Sequence, residues 1–355
     1  MGEDNFIVIG GGPSGAFLAR LLSDSGYKVS VYESMPRYST KPCGMGVPKQ
    51  IESLLNIPDE FVLSKIRGYR AFIDGELKAE NRGELWGWTV DKEGLISYLL
   101  EGIDVVKKKY EDYPSKLKSL NNAYVVISNG IYWSLASRDR INAVEVTLEK
   151  TNTNFEEDMI EIHFDTSLLG YYWIFPWGEK GINVGVGGQE NFYSLIDRLT
   201  AFIGSDPRLK GALNSNIVKR IRGAQIISGG IELEKTNPVE RVFAVGESIG
   251  SVFPLTGEGI RTSMMSSRIL YESISNNINY RKLMEGSHLY FANRLQARVL
   301  RSLRKMPREL RRKLMKSVPK EWLVKFGLGD FTQEALRRAL GKSGFFFDLL
   351  RTLGI

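Results

Sequence analysis

The chain has 355 residues, of which 43% are hydrophobic and 25% charged, a composition typical of a globular protein with ample apolar material for a core. The sequence predicts neither a membrane span nor a signal peptide, because no apolar run reaches about 18 residues and the first predicted strand begins at residue 6. The single cysteine excludes an internal disulfide and indicates the cytoplasm. The sequence has only two histidines, His163 and His288, which makes a His-rich metal site or a serine-type triad an unfavoured interpretation.

The net charge of +7 is concentrated at the end of the chain. From Arg281 onward there are 18 Lys and Arg against 6 Asp and Glu, whereas residues 1–280 carry 30 against 35. The basic character therefore belongs to the C-terminal region, which needs its own explanation.

The chain begins with the pattern of a strand, a glycine turn and a helix. Residues 6–9 are apolar, and Gly10, Gly12 and Gly15 follow with the G-x-G-x-x-G spacing. Here the first glycine permits a tight turn, the second lets a pyrophosphate approach the backbone, and the third lets the helix pack close to the strand. A second predicted strand, residues 29–32, ends in Glu33, at the separation where an acid accepts a hydrogen bond from a ribose hydroxyl.

These residues predict a dinucleotide site. Its predicted ligands are Gly10, Gly12, Pro13, Ser14, Gly15 and Glu33. The N-terminal position of the motif, with its partner segments far downstream, favours FAD over a detachable NAD module. An acid at residue 33 also disfavours the 2′-phosphate of NADP.

The middle of the chain alternates between helix and strand patterns. Asp74-Gly75 lies inside an alternating stretch, which is a hairpin signal. Residues 141–190 are rich in alternating β-formers and predict an antiparallel sheet. The other predicted elements are a shaped loop at 41–48, a short helix at 48–55, strands at 105–106, 124–127 and 242–247, and helices at 92–100, 192–202, 206–213 and 260–274.

Four stretches of the sequence form a recognisable set. They are the N-terminal motif with Glu33, Pro-Cys-Gly-Met-Gly at 42–46, Gly-Tyr-Tyr-Trp-Ile-Phe-Pro at 170–176, and residues 246–250 with 254–260. Together they resemble the FAD-dependent geranylgeranyl reductase family of archaea, which shares the p-hydroxybenzoate hydroxylase type of flavoprotein fold. They span about three-quarters of the chain, and the second and third are far more specific to the family than the first, which is generic to flavoproteins.

The resemblance implies an α/β fold with a Rossmann-like FAD-binding domain, a substrate domain built on an antiparallel sheet, and a helical C-terminal region. The implied discontinuous FAD domain comprises residues 1–60, 88–138 and 231–275. The implied substrate domain comprises residues 61–87 and 139–230, followed by the basic helical region 276–355.

The resemblance also implies roles for individual residues. Further FAD contacts would come from Cys43, Gly44, Gly46, Gly246, Glu247, Pro254, Gly257, Gly259 and Ile260. The substrate pocket would be lined by Tyr171, Trp173, Phe175 and Pro176, of which the first three alternate on one strand face. Cys43 is the only candidate for a catalytic proton donor that matches the family.

The activity implied by the resemblance is hydrogenation of isolated C=C bonds in an isoprenoid or lipid chain, such as the geranylgeranyl groups of archaeal ether lipids. Two alternatives stay open: a monooxygenase on the same fold, and a flavin-binding lipid carrier that has lost catalysis. The carrier is motivated by departures from the family pattern. They are Glu247 for Asp, Lys92 for Arg, Trp177 for Lys, Ser128-Asn129-Gly130 for Ala-Asp-Gly, a helix ending at Leu100 without the usual arginine, and Cys43 without a second cysteine for a redox pair. The electron donor also stays open between a reduced nicotinamide and a ferredoxin.

The basic C-terminal region reads as a series of amphipathic helices. Leu295, Val299 and Leu303 recur at helical spacing with arginines between them, and Pro307 ends the pattern. Further helices are predicted at 309–317, 320–326, 332–340 and 344–353. Two hypotheses stay open and are compatible: a helical cap packed on the second domain, and a dock on the inner face of the cell membrane. Nucleic acid is not predicted as a partner, because no recognition motif accompanies the charge.

Overall fold

The computed structural model describes residues 5–38, 41–110, 123–149, 155–212, 217–332 and 334–335. The predicted helix at 344–353 and most of the one at 332–340 lie outside these residues. The described strands are β1 (Asn5–Ile9), β2 (Lys28–Tyr32), β3 (Gly46–Pro48), β4 (Val62–Ile73), β5 (Glu76–Val90), β6 (Asp104–Val106), β7 (Ala123–Ile127), β8 (Arg140–Leu148), β9 (Met159–Asp165), β10 (Gly170–Pro176), β11 (Ile182–Gly188), β12 (Arg222–Ile227) and β13 (Val242–Ala244).

The described α-helices are α1 (Pro13–Asp24), α2 (Lys92–Leu99), α3 (Phe192–Ser205), α4 (Ile217–Arg220), α5 (Ile260–Ser275), α6 (Tyr280–Gly286), α7 (His288–Lys305), α8 (Arg308–Ser317) and α9 (Lys320–Leu328). The predicted helix at 206–213 is wrong: only a 3₁₀ turn, Lys210–Ala212, forms there. Pro207 disfavours a helical conformation at Asp206, which instead ends α3.

The first sheet is parallel throughout, with strand order β13-β7-β1-β2-β6. The chain leaves β1 toward β2 on one side and later returns to place β7 on the other side. The strand order therefore reverses between β1 and β7, and in open α/β sheets ligands bind in the crevice at the carboxyl ends of the strands at such a reversal. The predicted Rossmann-like architecture is confirmed.

The second sheet has eight strands in the order β12-β8-β11-β10-β9-β4-β5-β3. All its neighbouring pairs are antiparallel except β4 with β9, which is parallel. The hairpin predicted at Asp74-Gly75 joins β4 to β5, and both residues have positive φ, +48° and +83°. Two positive φ values are the signature of a type I′ turn, which matches the twist of the flanking strands.

The apolar side chains form two cores. A smaller core lies between the second sheet and α3, where Val144 and Val184 pack with Leu195 and Leu199. The larger core surrounds the parallel sheet and also takes in Leu295, Val299 and Leu303 of the amphipathic helix α7, at the spacing that the sequence predicted.

The helical cap differs from the sequence expectation in its location. Its apolar face packs into the core of the parallel sheet rather than onto the second domain. Ionic contacts also join the cap to the second sheet and to the residue before β8: Arg304 pairs with Asp139 at 2.7 Å and Lys316 with Glu76 at 2.5 Å. Amphipathic spacing identifies the buried face of a helix, but it does not say which core receives that face. No helix in the described ranges has the length and apolarity needed to cross a bilayer.

A buried carboxylate organises one face of the second sheet. The side chain of Glu161 is 0% exposed and accepts hydrogen bonds from Arg70 at 3.0 Å, Arg208 at 2.8 Å and His163 at 3.0 Å. Burial acts to raise the pKa of Glu161, but the hydrogen bonds from Arg208 and His163 and the arginine charges outweigh it and hold that pKa well below its usual range.

Glu161→Gln should therefore destabilise the fold by roughly 2 kcal/mol at pH 7, because it removes the fully buried charged acceptor that Arg70 and Arg208 share and leaves them only their more exposed carboxylate partners. Since the folded-state pKa is depressed, the stabilisation is fully present above the unfolded pKa of about 4.3 and is lost as the pH falls toward the folded value. Urea unfolding followed by circular dichroism at pH 7 and pH 3.5 measures both effects.

The gap in unfolding free energy between the wild-type protein and the variant should narrow at the lower pH. Glu93→Gln, which breaks the exposed pair with Arg37, is the control and should keep the wild-type urea midpoint. A Glu161→Gln midpoint equal to that of the wild type at pH 7 would contradict this account.

Candidate functional site

The glycine turn closes against the end of β7. Gly10 has a φ of +107°, and a Cβ on it would lie 2.7 Å from the carbonyl carbon of Ser128. A Cβ on Gly15 would lie 2.0 Å from the Gly10 carbonyl oxygen. The hydroxyl of Ser128 donates to the carbonyl of Gly10 at 2.7 Å and so fixes the turn to β7. Glycine is required at both positions by this close approach.

The space in front of α1 fits a phosphate group. The helix begins at Pro13 with Gly12 as its N-cap, and it has neither a side-chain cap nor an acidic residue in its first turn. A Cβ on Gly12 would meet no atom within 4 Å. An open helix N-terminus with uncapped N–H groups attracts anions. The residues present therefore fit the pyrophosphate of a dinucleotide.

Glu33 is anchored beside that space. One carboxylate oxygen accepts from the Gly11 N–H at 2.8 Å, and the other accepts from the Met35 N–H at 2.8 Å. An ionised carboxylate has about four acceptor sites. Two remain for ribose hydroxyls, so the half-buried Glu33 fits the role that the sequence predicts for it.

A loop formed by residues 41–46, the Cys43 loop, lies over the ends of the parallel strands. The ammonium of Lys41 contacts both oxygens of Glu247, at 2.6 and 2.7 Å. The ammonium of Lys92, itself buried, donates to the Lys41 carbonyl at 3.2 Å. The indole N–H of Trp177 donates to the Gly44 carbonyl at 3.0 Å. Glu247, Lys92 and Trp177 are three of the departures from the family pattern, and all three support this loop.

Cys43 is half-buried in the middle of the loop. Its sulfur accepts a hydrogen bond from the Met45 N–H at 3.3 Å. Met45 has a φ of +58°, so the chain turns sharply directly after the Cys-Gly pair. The Val90 N–H then donates to the Met45 carbonyl at 3.1 Å, which ties the far end of the loop to the second sheet.

The aromatic strand β10 packs against the same loop. Cβ atoms on Gly44 and Gly46 would lie 3.0 and 2.8 Å from the ring of Phe175. Trp173 is buried, with its indole nitrogen 3.1 Å from the Cβ position of Gly44. Pro176 ends the strand, and its carbonyl accepts from the Thr89 hydroxyl at 2.6 Å. The predicted pocket-lining residues therefore lie beside Cys43.

The third site segment reaches β10 through Tyr171. Its hydroxyl donates to the Thr256 carbonyl, and a Cβ on Gly257 would lie 3.3 Å from the hydroxyl oxygen. Burial raises the pKa of Tyr171 above its usual range, and the nearby Cys43 adds to that effect. Tyr171 is therefore a neutral hydrogen-bond donor at physiological pH.

The segment from Pro254 to Ile260 ends in the N-terminus of α5. Gly259 is the N-cap of that helix and makes no side-chain capping bond. Just before it, Glu258, whose side chain is 11% exposed, pairs with Arg261 at 2.6 Å, and Arg261 donates to the Leu328 carbonyl at 2.7 Å. Burial raises the pKa of Glu258, and Arg261 opposes that shift. The cap helices thus hold this segment in place.

Gly246 and Glu247 complete the site from the end of β13. A Cβ on Gly246 would lie 2.3 Å from the Ser14 hydroxyl, which places this turn against the start of α1. Glu247 also accepts from the Ile227 N–H at 3.1 Å. All the predicted site residues therefore lie at the ends of the parallel strands, on the Cys43 loop, on β10, or at the start of α5.

Sequence reasoning missed two residues that shape the site. Lys41 is 206 residues from its partner Glu247, and no spacing rule connects them. Thr256 lies inside a recognised motif, but it contributes its backbone carbonyl to Tyr171, and side-chain patterns do not reveal such a contact. The one signal for Lys41 was its position directly before the Pro-Cys-Gly stretch.

Comparison with known proteins agrees with this architecture. Residues 139–224 match the family described as geranylgeranyl reductase catalytic domain, and residues 8–40 match the NAD(P)-binding Rossmann-like domain. The digeranylgeranylglycerophospholipid reductase of Thermoplasma acidophilum is 23% identical, covering 83% of this chain and 85% of its own length. That of Methanococcus vannielii is 27% identical, covering 79% of this chain and 78% of its own length.

Solved structures show the same fold. A geranylgeranyl bacteriochlorophyll reductase-like protein from Thermoplasma acidophilum superposes with a TM-score of 0.74 at 21% identity, covering 99% of both chains. A flavoprotein/dehydrogenase from Cytophaga hutchinsonii gives 0.66 at 14% identity, covering 99% of this chain and 98% of its own.

The fold and these matches define the class: an α/β protein in which one segment matches a Rossmann-like NAD(P)-binding domain and another matches the geranylgeranyl reductase catalytic domain. Over most of its length the chain is similar to the digeranylgeranylglycerophospholipid reductases of Thermoplasma acidophilum and Methanococcus vannielii, in agreement with the resemblance.

Proposed function

We propose that this protein is an FAD-dependent reductase that hydrogenates C=C bonds in the geranylgeranyl chains of archaeal membrane lipids. The observation that carries the proposal is the placement of the Cys43 loop between the dinucleotide turn and the aromatic strand β10. The names of the relatives supply the substrate class. The proposal includes the division of the chain into an FAD domain, a substrate domain and a helical region.

The chain's own residues would hold FAD at three places. The N-terminus of α1 and Gly12 would receive the pyrophosphate, and Glu33 would accept from a ribose. The Cys43 loop and the N-terminus of α5 would face the flavin ring. When bound and reduced, FAD supplies the hydride, and the protein supplies orientation and a dry site.

The remaining site residues have separate roles in the proposal. Tyr171, Trp173 and Phe175 form an apolar wall that orients the isoprenoid chain and excludes water. An isolated alkene has no carbonyl to polarise, so a positioned proton matters. Cys43 would hold that proton at Sγ, in the position fixed by the Met45 N–H.

The lipid-carrier alternative is weakened by the site itself. Three of the departures that motivated it, Glu247, Lys92 and Trp177, form a connected support for the Cys43 loop. These three therefore do not by themselves indicate a loss of catalysis. The reduced nicotinamide and the ferredoxin both remain as hypotheses for the electron donor.

The purified protein, loaded with FAD and reduced chemically under anaerobic conditions, should add two hydrogen atoms to each double bond of a geranylgeranyl phospholipid. Mass spectrometry of the lipid measures the gain. Cys43→Ala should slow the reaction by about a hundredfold or more if the thiol is the proton donor, since general acid catalysis contributes at least that much.

Cys43→Ser is the matched variant, because its hydroxyl keeps a proton-bearing group where the thiol was. An unchanged lipid mass in every lipid presentation would contradict the reductase. A hydroxylated product after oxygen is admitted would favour the monooxygenase. Full activity of Cys43→Ala would remove Cys43 from the mechanism.

We also propose that the cap helix α7 touches anionic lipid headgroups. Arg294, Arg298, Arg301 and Lys305 are exposed at spacings of four, three and four residues, so they share one face of the helix. The helix has no acidic residue, and within the described ranges these four side chains pair with no carboxylate, whereas Arg304 on the inner face pairs with Asp139. A helix face that carries four positive charges is attracted to an anionic membrane surface.

Replacing these four residues with glutamine should weaken binding to vesicles that contain phosphatidylglycerol by at least tenfold, since each basic residue near such a surface contributes about 1 kcal/mol. Co-sedimentation, with pure phosphatidylcholine vesicles as the reference lipid, measures this. The control variant loses the same number of positive charges elsewhere on the surface. Its substitutions are K28Q, R67Q, K210Q and K219Q, at residues that are all exposed in the wild type. Equal binding by both variants would contradict a role for this face.

A further inference from the structure

A buried chain of hydrogen bonds crosses four strands behind the aromatic wall. The indole N–H of Trp173 on β10 donates to the side-chain oxygen of Asn183 on β11 at 2.7 Å. The amide NH₂ of Asn183 donates to Glu145 on β8. The other oxygen of Glu145 accepts from Arg222 on β12, at 2.6 and 3.1 Å.

The middle of this chain is fully buried. Asn183 is 0% exposed and Glu145 is 1% exposed, whereas the side chain of Arg222 is 55% exposed. Removing a carboxylate from water is costly, and an ion pair with a half-exposed partner returns only part of that cost. Stability alone therefore does not explain why this sheet keeps a carboxylate at residue 145.

These hydrogen bonds fix the orientation of each side chain that they join. An ionised carboxylate accepts hydrogen bonds at both oxygens and donates none. Glu145 can therefore receive only the NH₂ end of the Asn183 amide, which leaves the carbonyl end for Trp173. The indole N–H is held toward β11 as a consequence.

The space that the ring occupies is also set by β11. A Cβ on Gly185 would lie 2.1 Å from a ring carbon of Trp173, so the ring fills the place where a side chain would stand. The ring borders the Cys43 loop at Gly44. We propose that Glu145 and Asn183 are positioning residues that lock the Trp173 ring as a specificity wall beside Cys43. The chemistry of the ligand, an isoprenoid chain, rests on the proposed function, whereas the locking of the ring does not.

Glu145→Gln tests this lock with almost no change in shape. A glutamine amide has only one oxygen, and we expect it to face Arg222, because a hydrogen bond from a charged donor is stronger than one from a neutral amide. The NH₂ group of the glutamine then faces Asn183, where the carboxylate presented an acceptor. Asn183 must then either face that donor with its own NH₂ or turn around and place its NH₂ against the Trp173 N–H. In both cases one donor meets another donor, and the mismatch loosens Trp173.

The first measurement follows hydrogen exchange of the tryptophan indoles by NMR, with ¹⁵N-tryptophan in the whole chain. The protein has six tryptophans, and the signal of Trp173 is the one that Trp173→Phe removes. In Glu145→Gln that signal should exchange at least about tenfold faster, the factor expected when a buried hydrogen bond is lost, while the other five keep their rates. Glu190→Gln, which breaks the pair between the residue just after β11 and Arg198 of α3, is the control.

Two results would overturn the proposal at this stage. One is a hydrogen-exchange rate of the Trp173 indole in Glu145→Gln that stays within about twofold of the wild-type rate. If the variant frees the Trp173 ring, its indole N–H must become more accessible to water. The other is an equal acceleration of all the indole signals, which would indicate general destabilisation.

The second measurement compares steady-state reduction of lipids with prenyl chains of different lengths. Glu145→Gln should raise KM about tenfold with little change in kcat, as expected when binding but not chemistry is impaired. In the Trp173→Phe background, which lacks the indole N–H, the same substitution should add little. An equal effect of Glu145→Gln in both backgrounds would contradict the lock. If the wild-type protein reduces no lipid, the proposed function fails, and the NMR measurement alone decides on the lock.

Discussion

The ion pair between Lys41 and Glu247 joins two parts of the molecule that are far apart in the sequence. Glu247 follows the last strand of the parallel sheet, and Lys41 begins the Cys43 loop, whose next anchor is the hydrogen bond from Trp177 to Gly44. The loop is therefore held by one sheet at its start and by the other at its middle. Because both anchors are present, the loop holds the ends of the parallel strands, the aromatic strand β10 and the thiol of Cys43 in a fixed arrangement.

The close packing around the loop has chemical consequences. The ring of Phe175 lies within 3.0 Å of the positions that Cβ atoms on Gly44 and Gly46 would take, so the loop packs closely against the aromatic strand. Electrostatic interactions strengthen where water is excluded. A site of this kind suits a substrate that is itself apolar. It also strengthens each buried hydrogen bond, including those that join Trp173 through Asn183 to Glu145.

The features predicted most reliably are those that depend on residues close together in the sequence. The turn at Gly10, Gly12 and Gly15 was recognisable because its chemistry lies within six residues, and α7 because its buried side chains repeat at helical spacing. Contacts between distant segments were not predictable. Glu145 and Asn183 meet only because of the register of β8 with β11, and the cap packs on a core that its own pattern does not identify. Register and packing partners depend on the whole fold, which a single pattern does not encode.

The central claim is that the open space before α1 receives the pyrophosphate of FAD, and titration calorimetry of the flavin-free protein with FAD tests it most directly. The wild-type protein should bind one FAD per chain. Gly12→Val should bind at least about a hundredfold more weakly, a loss of about 2.7 kcal/mol, because its side chain fills that space. The fold should be unaffected, since Gly12 has an ordinary φ of −74° and its Cβ would meet no atom within 4 Å. Equal affinity of both proteins, or no FAD binding by the wild type, would contradict the account.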